Sequence, residues 1–178
     1  MKRLGPSLDR ADWSERWRAQ ADLLSAVHTA GPIDVVRVVD LFDGAGPHRR
    51  RQADTESSEL YLLTEWTAGR RFDDWASDAT VTRPERVAVV ESLARTVGRL
   101  HQLGVIHRDL APGNVIVSGD RAMIIDFGLA VRCSADESVH ETEVIGTDDY
   151  RSSEASAGRW SHDSDRYALA RLTHLALP

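Results

Sequence analysis

The sequence predicts an α+β fold, on three observations. Three stretches carry helical apolar spacing, several short β-branched runs lie between them, and the two kinds of segment do not alternate as regular βαβ units. The 178 residues, 42% apolar and 28% charged, suffice for one core. From Asp12 to His28, Trp13, Trp17, Leu24 and Val27 recur at helical spacing, Asp12 with Glu15 fits a helix start, and Gly31-Pro32 closes it. Val35 to Phe42 and Leu60 to Leu63 read as strands joined by a polar loop.

Thr82 and Glu85 form a capping-box pattern around Pro84, and Val87, Val90, Ala94, Val97 and Leu100 mark the expected buried face of the helix that follows, ended by Gly104. Val105-Ile106, Val115 to Val117 and Met123 to Ile125 are short strand-like runs. Val131 to Thr147 has no clear period and is expected to be a long exposed loop. Asp163 to Leu177 regains helical spacing.

A net charge of -6 argues against general binding of nucleic acid or anionic membranes. The single cysteine, Cys133, excludes an internal disulfide and has no metal-ligand cluster in sequence, so a reducing, cytoplasmic setting is expected. No run has the length of a membrane span. His28, His48 and His140 lack metal-ligand spacing, and Arg49 to Arg51 read as a solvated loop. Lys2 is the only lysine among twenty-two basic residues.

The informative block is His107-Arg108-Asp109-Leu110-Ala111-Pro112-Gly113-Asn114, followed by Asp126-Phe127-Gly128. Asp109 and Asn114 on a tight loop, with Asp126 at the end of an apolar run, supply hard oxygen ligands suited to magnesium and a carboxylate to orient a hydroxyl. That set suits phosphoryl transfer.

HRDLAPGN, IDFGLA, GTDDYRSSE and DRYALA together resemble, in order, the motifs of the bacterial-type serine/threonine protein kinases. The resemblance implies a kinase-like fold, with residues 12–69 as a remnant of the small lobe and hinge and 70–178 as a mainly helical large lobe. It implies ATP and Mg2+ as cofactors and a protein with a Ser or Thr hydroxyl as substrate. Asp109 would be the catalytic carboxylate, Asn114 and Asp126 the magnesium ligands, and Arg108 a basic pocket for a phosphorylated segment, with Ser134, Ser138 and Thr142 as candidate acceptors. Thr147 would place the substrate hydroxyl. Glu65, Trp66 and Thr67 would bind adenine through backbone groups, with Thr64 as gatekeeper. Phe127 and His107 would stack with Leu24 and Val38, and Asp165 would anchor the catalytic loop.

The departures are as specific as the matches. The family has a glycine-rich loop, a strand lysine and a glutamate on its C helix; here the glycine-rich loop and the strand lysine are expected to be absent, and Gln20 holds the glutamate's position. Ala111 replaces a lysine that contacts the transferring phosphate, and Ser153 replaces a proline before Glu154. The two expected strands make an incomplete small lobe with an open edge. These features predict a piece of a longer kinase, or completion by a partner chain, with little activity in isolation. A catalytically impaired interaction module and a small-molecule phosphotransferase are the alternatives; the D-x-x-P-G-N run fits the latter, and GTDDYRSSE argues against it.

Overall fold

The computed structural model describes residues 10–45 and 58–178, with side chains from 14 to 44 and from 60 onward. Lys2, His48, Arg49 to Arg51 and most of the polar loop before Leu60 lie outside the described residues, and Trp13 is described in its backbone alone. Helix α1 spans Arg10–Thr29, ending just before Gly31-Pro32. Its Leu23, Leu24 and Val27 are buried and hold the helix to the rest of the chain. Strands β1 (Val38–Ala45) and β2 (Ser58–Thr64) pair antiparallel, with an irregularity between Val38 and Asp40.

The expected strand from Val35 begins three residues late. Val35 and Val36 cross instead to the second sheet: Val36 N–H donates to the Ile124 carbonyl at 2.9 Å and Ile124 N–H to the Asp34 carbonyl at 3.1 Å. Both valines are buried in that position, and the chain is drawn away from the β1–β2 ladder. Val39, Phe42 and Leu63 remain on the surface of the two-stranded sheet, at 58%, 44% and 48% exposure. Such a sheet is marginal by itself, and its attachment depends on α1 and on these valines.

After β2 come β3 (Arg70–Arg71), α2 (Phe72–Ala76) and α3 (Arg83–Gln102). The capping box is present, with the Glu85 carboxylate accepting from the Thr82 N–H at 2.8 Å and its hydroxyl at 2.7 Å. The buried stripe of α3 differs from the expected one: it runs through Val89, Ser92, Leu93, Thr96, Val97 and Leu100, while Ala94 is exposed. Two hydroxyl residues are buried because their bonds are satisfied. Ser92 Oγ accepts from Ala122 N–H, and Thr96 Oγ1 donates to the Ser92 carbonyl.

Strands β4 (Val105–Ile106), β5 (Val115–Ser118) and β6 (Arg121–Ile124) follow. The order β3-β5-β6 makes a three-stranded antiparallel sheet against α3. Helix α5 (His162–Ala176) packs across α3 and α2, burying Ala168, Leu172 and Ala176.

The expected exposed loop from Val131 to Thr147 is corrected by two short ladders. β7 (Val131–Arg132) pairs with β4, and β8 (Val139–His140) pairs with β9 (Arg159–Trp160) beyond the short helix α4 (Ser153–Ser156). Cys133, expected to be a loop thiol, is 4% exposed in a satellite core with Ile106, Ala155 and Trp160. Burial, then nearby Glu137, pushes its thiol pKa upward.

Candidate active site

The catalytic-loop segment is fixed from its backbone outward. Arg108 has φ 66, and among the described residues it is the one non-glycine residue with positive φ. That conformation turns the N–H groups of His107 and Arg108 toward the Asp165 carboxylate on α5, at 2.8 and 3.0 Å. Asp165 is 1% exposed and also meets His101 Nε2 at 3.0 Å. A buried carboxylate holding two N–H groups is the support that a left-handed non-glycine residue requires. The expected anchoring by Asp165 is therefore present, and His101, at the end of α3, is an additional member.

The Asp109 carboxylate is held on both oxygens. Oδ2 accepts from Asn114 Nδ2 at 2.8 Å, and Oδ1 accepts from the Thr147 N–H at 2.9 Å and its hydroxyl at 2.7 Å. Asn114 Nδ2 also donates to the Asp109 carbonyl at 2.8 Å, and Asn114 is 7% exposed. The amide orientation is thus set, leaving its Oδ1 as the oxygen available to a cation. Ile125 N–H donates to the Asn114 carbonyl at 3.0 Å, which places Asp126 next to the loop. Asp126 Oδ1 accepts from Gly128 N–H at 3.0 Å.

The donor set suits a hard cation such as magnesium, which Asn114 and Asp126 would hold. No group of three or more His, Cys, Asp or Glu side chains among the described residues could hold a metal alone. Asn114 and Asp126 offer hard oxygens, and an ion held by so few protein ligands completes its shell with phosphate and water oxygens.

His107 and Phe127 meet edge to face, with ring centroids 4.8 Å apart. Phe127 and Leu24 share the main core, and Val38 packs on its margin. Gln20 Oε1 faces Gly128, at 3.9 Å from where a Cβ on that glycine would stand. A neutral amide, with no charge to offer, thus lies beside the Asp126 turn.

Glu65, Trp66 and Thr67 form a separate region. They line a cavity of about 250 Å3 with Ile116 and Met123, and its lining includes none of Asp109, Asn114 or Asp126. Glu65 N–H donates to the Arg37 carbonyl at 2.9 Å, Thr67 Oγ1 bonds Met123 sulfur at 3.0 Å, and Trp66 is 91% exposed. Thr64, at the end of β2, pairs in register with Val38.

Arg108 does not stand open for an added phosphate. Its side chain is 7% exposed, Nε donates to the Leu129 carbonyl and Nη1 pairs with Glu141. Ser134, Ser138 and Thr142 are exposed. Sequence reading missed Glu141, because one carboxylate in an acidic run gives no signal of having a buried partner. His101 was legible only as a polar residue near a helix end.

The histidines behind the loop make stability pH-dependent. His162 stacks on His101 at 4.4 Å, and burial, followed by the charge of His101, lowers the His162 pKa from its usual 6.5. Burial likewise lowers that of His107. The unfolded chain then binds protons more readily than the native one. This contribution is complete above about pH 6.5 and is lost as pH falls toward the lowered native values. Urea midpoints are expected to drop between about pH 7.5 and 5.5, and His162→Gln to make that drop shallower.

The protein kinase domain family model matches residues 23–176. Serine/threonine-protein kinase pkn2 of Myxococcus xanthus is 33% identical over 94% of this chain and 19% of its own length. PknB of Mycobacterium leprae is 32% identical over 60% of this chain and 18% of its own, and PknJ of Mycobacterium tuberculosis 32% over 76% and 24%. The chain spans about a fifth of the length of these curated relatives. Ordered motifs that converge on one carboxylate, and a family match across most of the described residues, carry one conclusion: the chain belongs to the protein kinase family, of the bacterial serine/threonine type.

Proposed function

We propose that this chain provides the catalytic-loop and metal-holding part of a serine/threonine protein kinase, which transfers the γ-phosphate of ATP to a protein hydroxyl in a cytoplasmic setting. The observation that carries the reading is the Asp109 carboxylate, oriented by Asn114 on one oxygen and Thr147 on the other beside Asp126. Asp109 takes the proton of the acceptor hydroxyl as its oxygen bonds to the γ-phosphorus and the bond to the β–γ bridging oxygen breaks, leaving ADP. Thr147 holds the hydroxyl end of the substrate chain near Asp109. Asn114 and Asp126 hold Mg2+, which neutralises phosphate charge when bound. Glu65, Trp66 and Thr67 present backbone groups to adenine.

The neutral Gln20 beside Gly128 favours a second reading, an interaction module with impaired catalysis. A small lobe completed by a further segment or a partner chain, supplying the lysine and the phosphate-covering loop, would restore turnover under the first reading.

The test is incubation of the purified chain with γ-labelled ATP, Mg2+ and a mixed protein acceptor, followed by phosphoamino-acid analysis. Slow, Mg2+-dependent label on serine or threonine is the expected result. Nucleotide binding without any transfer would support the second reading. Label confined to tyrosine or to a small-molecule acceptor would overturn the assignment of a protein Ser/Thr substrate.

A further inference from the structure

We infer that Glu141 is a positioning residue that supplies, from within the chain, the anion required by Arg108, so that residues 131–147 take their ordered course against the catalytic loop without phosphorylation. What this positions rests on the kinase reading above; the ordering itself does not.

The Arg108 guanidinium does not shed its proton, and at 7% side-chain exposure it needs an anionic partner in place of water. Leu129 provides a carbonyl for Nε, which is polar but uncharged. The carboxylate paired with Nη1 is Glu141. Removing one member of a buried pair leaves the other charge uncompensated, so the segment bearing Glu141 is coupled to the residue beside Asp109.

The backbone around Glu141 is built for close approach. Glu141 N–H donates to the Gly158 carbonyl at 2.8 Å, and a Cβ at Gly158, where φ is +84, would stand 2.4 Å from the Glu141 backbone carbonyl oxygen. Five residues after Glu141 the chain returns to the same place. Gly146, at φ +78, leaves only 2.7 Å between a would-be Cβ and the Arg108 carbonyl. Thr147 then bonds Asp109. The segment from 141 to 147 is therefore fastened at one end to the Arg108 side chain and at the other, beyond the close approach of Gly146 to the Arg108 carbonyl, to the Asp109 carboxylate.

The candidate acceptors lack this role. Ser134, Ser138 and Thr142 are exposed; Ser138 Oγ approaches His140, and Ser134 N–H donates to Glu137. Asp136, Glu137, Glu141 and Glu143 are their acidic neighbours in the chain, the cations that share a cavity with Ser138 are Arg159 and Arg166, and the Arg108 guanidinium is already paired.

Hydrogen exchange on the full chain tests this without requiring turnover, so its outcome is separable from that of the transfer assay. Protein treated with phosphatase, with intact mass showing no phosphate, is compared with untreated protein and with Glu141→Gln, Glu141→Asp and a Ser134→Ala/Ser138→Ala/Thr142→Ala variant. The expected result is equal protection of amides 139–147 in wild type, treated wild type and the triple variant. Glu141→Gln is expected to exchange about tenfold faster at Glu141 and Thr147 with α3 unchanged, and Glu141→Asp, which keeps the charge, to recover part of the protection. Exchange in Glu141→Gln within about twofold of wild type would overturn the proposal, as would loss of protection after phosphatase treatment.

Discussion

Asp109→Asn is expected to lower the rate of phosphate transfer by about 10²–10³-fold, the effect of removing one preorganised group from a transition-state site. The geometry explains why an isosteric change is so costly. Oδ1 receives two donors from Thr147 and Oδ2 one from Asn114. An asparagine amide must turn its NH2 toward one of these donors, so a donor faces a donor in either orientation. The substitution removes the proton acceptor and also disturbs the network that aims it. Initial rates with labelled ATP measure the effect, and urea unfolding shows whether the fold persists. Thr147→Ala keeps the carboxylate but loses one of its restraints, and its rate is expected to fall between the two.

The second large effect is on stability. Asp165→Ala is expected to lower the unfolding free energy by about 3 kcal/mol, because two buried backbone N–H groups lose their acceptor at about 1–3 kcal/mol each. These are the N–H groups of His107 and Arg108, the second of which holds the left-handed backbone preceding Asp109. His101 loses its carboxylate partner as well. Urea denaturation reads the change directly. A near-wild-type midpoint would mean that the catalytic-loop turn is fixed by other contacts.

The helices and the centre of the site were legible in the sequence because they depend on local or short-range pattern. The Thr82 and Glu85 cap marks the start of α3, and the five-residue spacing of Asp109 and Asn114 is what lets the amide reach back to the carboxylate. The stripe of α3 was misplaced where polar residues are buried. Hydropathy cannot register that Ser92 will meet Ala122 N–H from a strand thirty residues away.

Val131 to Thr147 was read as exposed because its polar composition masks long-range pairing. Val131 pairs with Ile106, and Val139 with Trp160; neither partner is implied by local periodicity. Charge misled for the same reason. Arg108 beside Asp109 suggested a pocket awaiting phosphate, whereas Glu141, thirty-three residues later, is its partner. Val35 and Val36 show a related limit: a β-branched run states that residues will be extended and buried, without stating which sheet receives them.

The central claim is that Asn114 and Asp126 hold a nucleotide-bound divalent cation beside the Asp109 carboxylate. Its most direct test is NMR line broadening by Mn2+ with a non-hydrolysable ATP analogue. The account predicts broadening of the Asn114 side-chain amide and the Asp109 and Gly128 backbone amides, dependent on nucleotide and abolished by Asp126→Asn. Broadening centred on the acidic segment from Ser134 to Glu143, or none at saturating nucleotide and Mn2+, would contradict it.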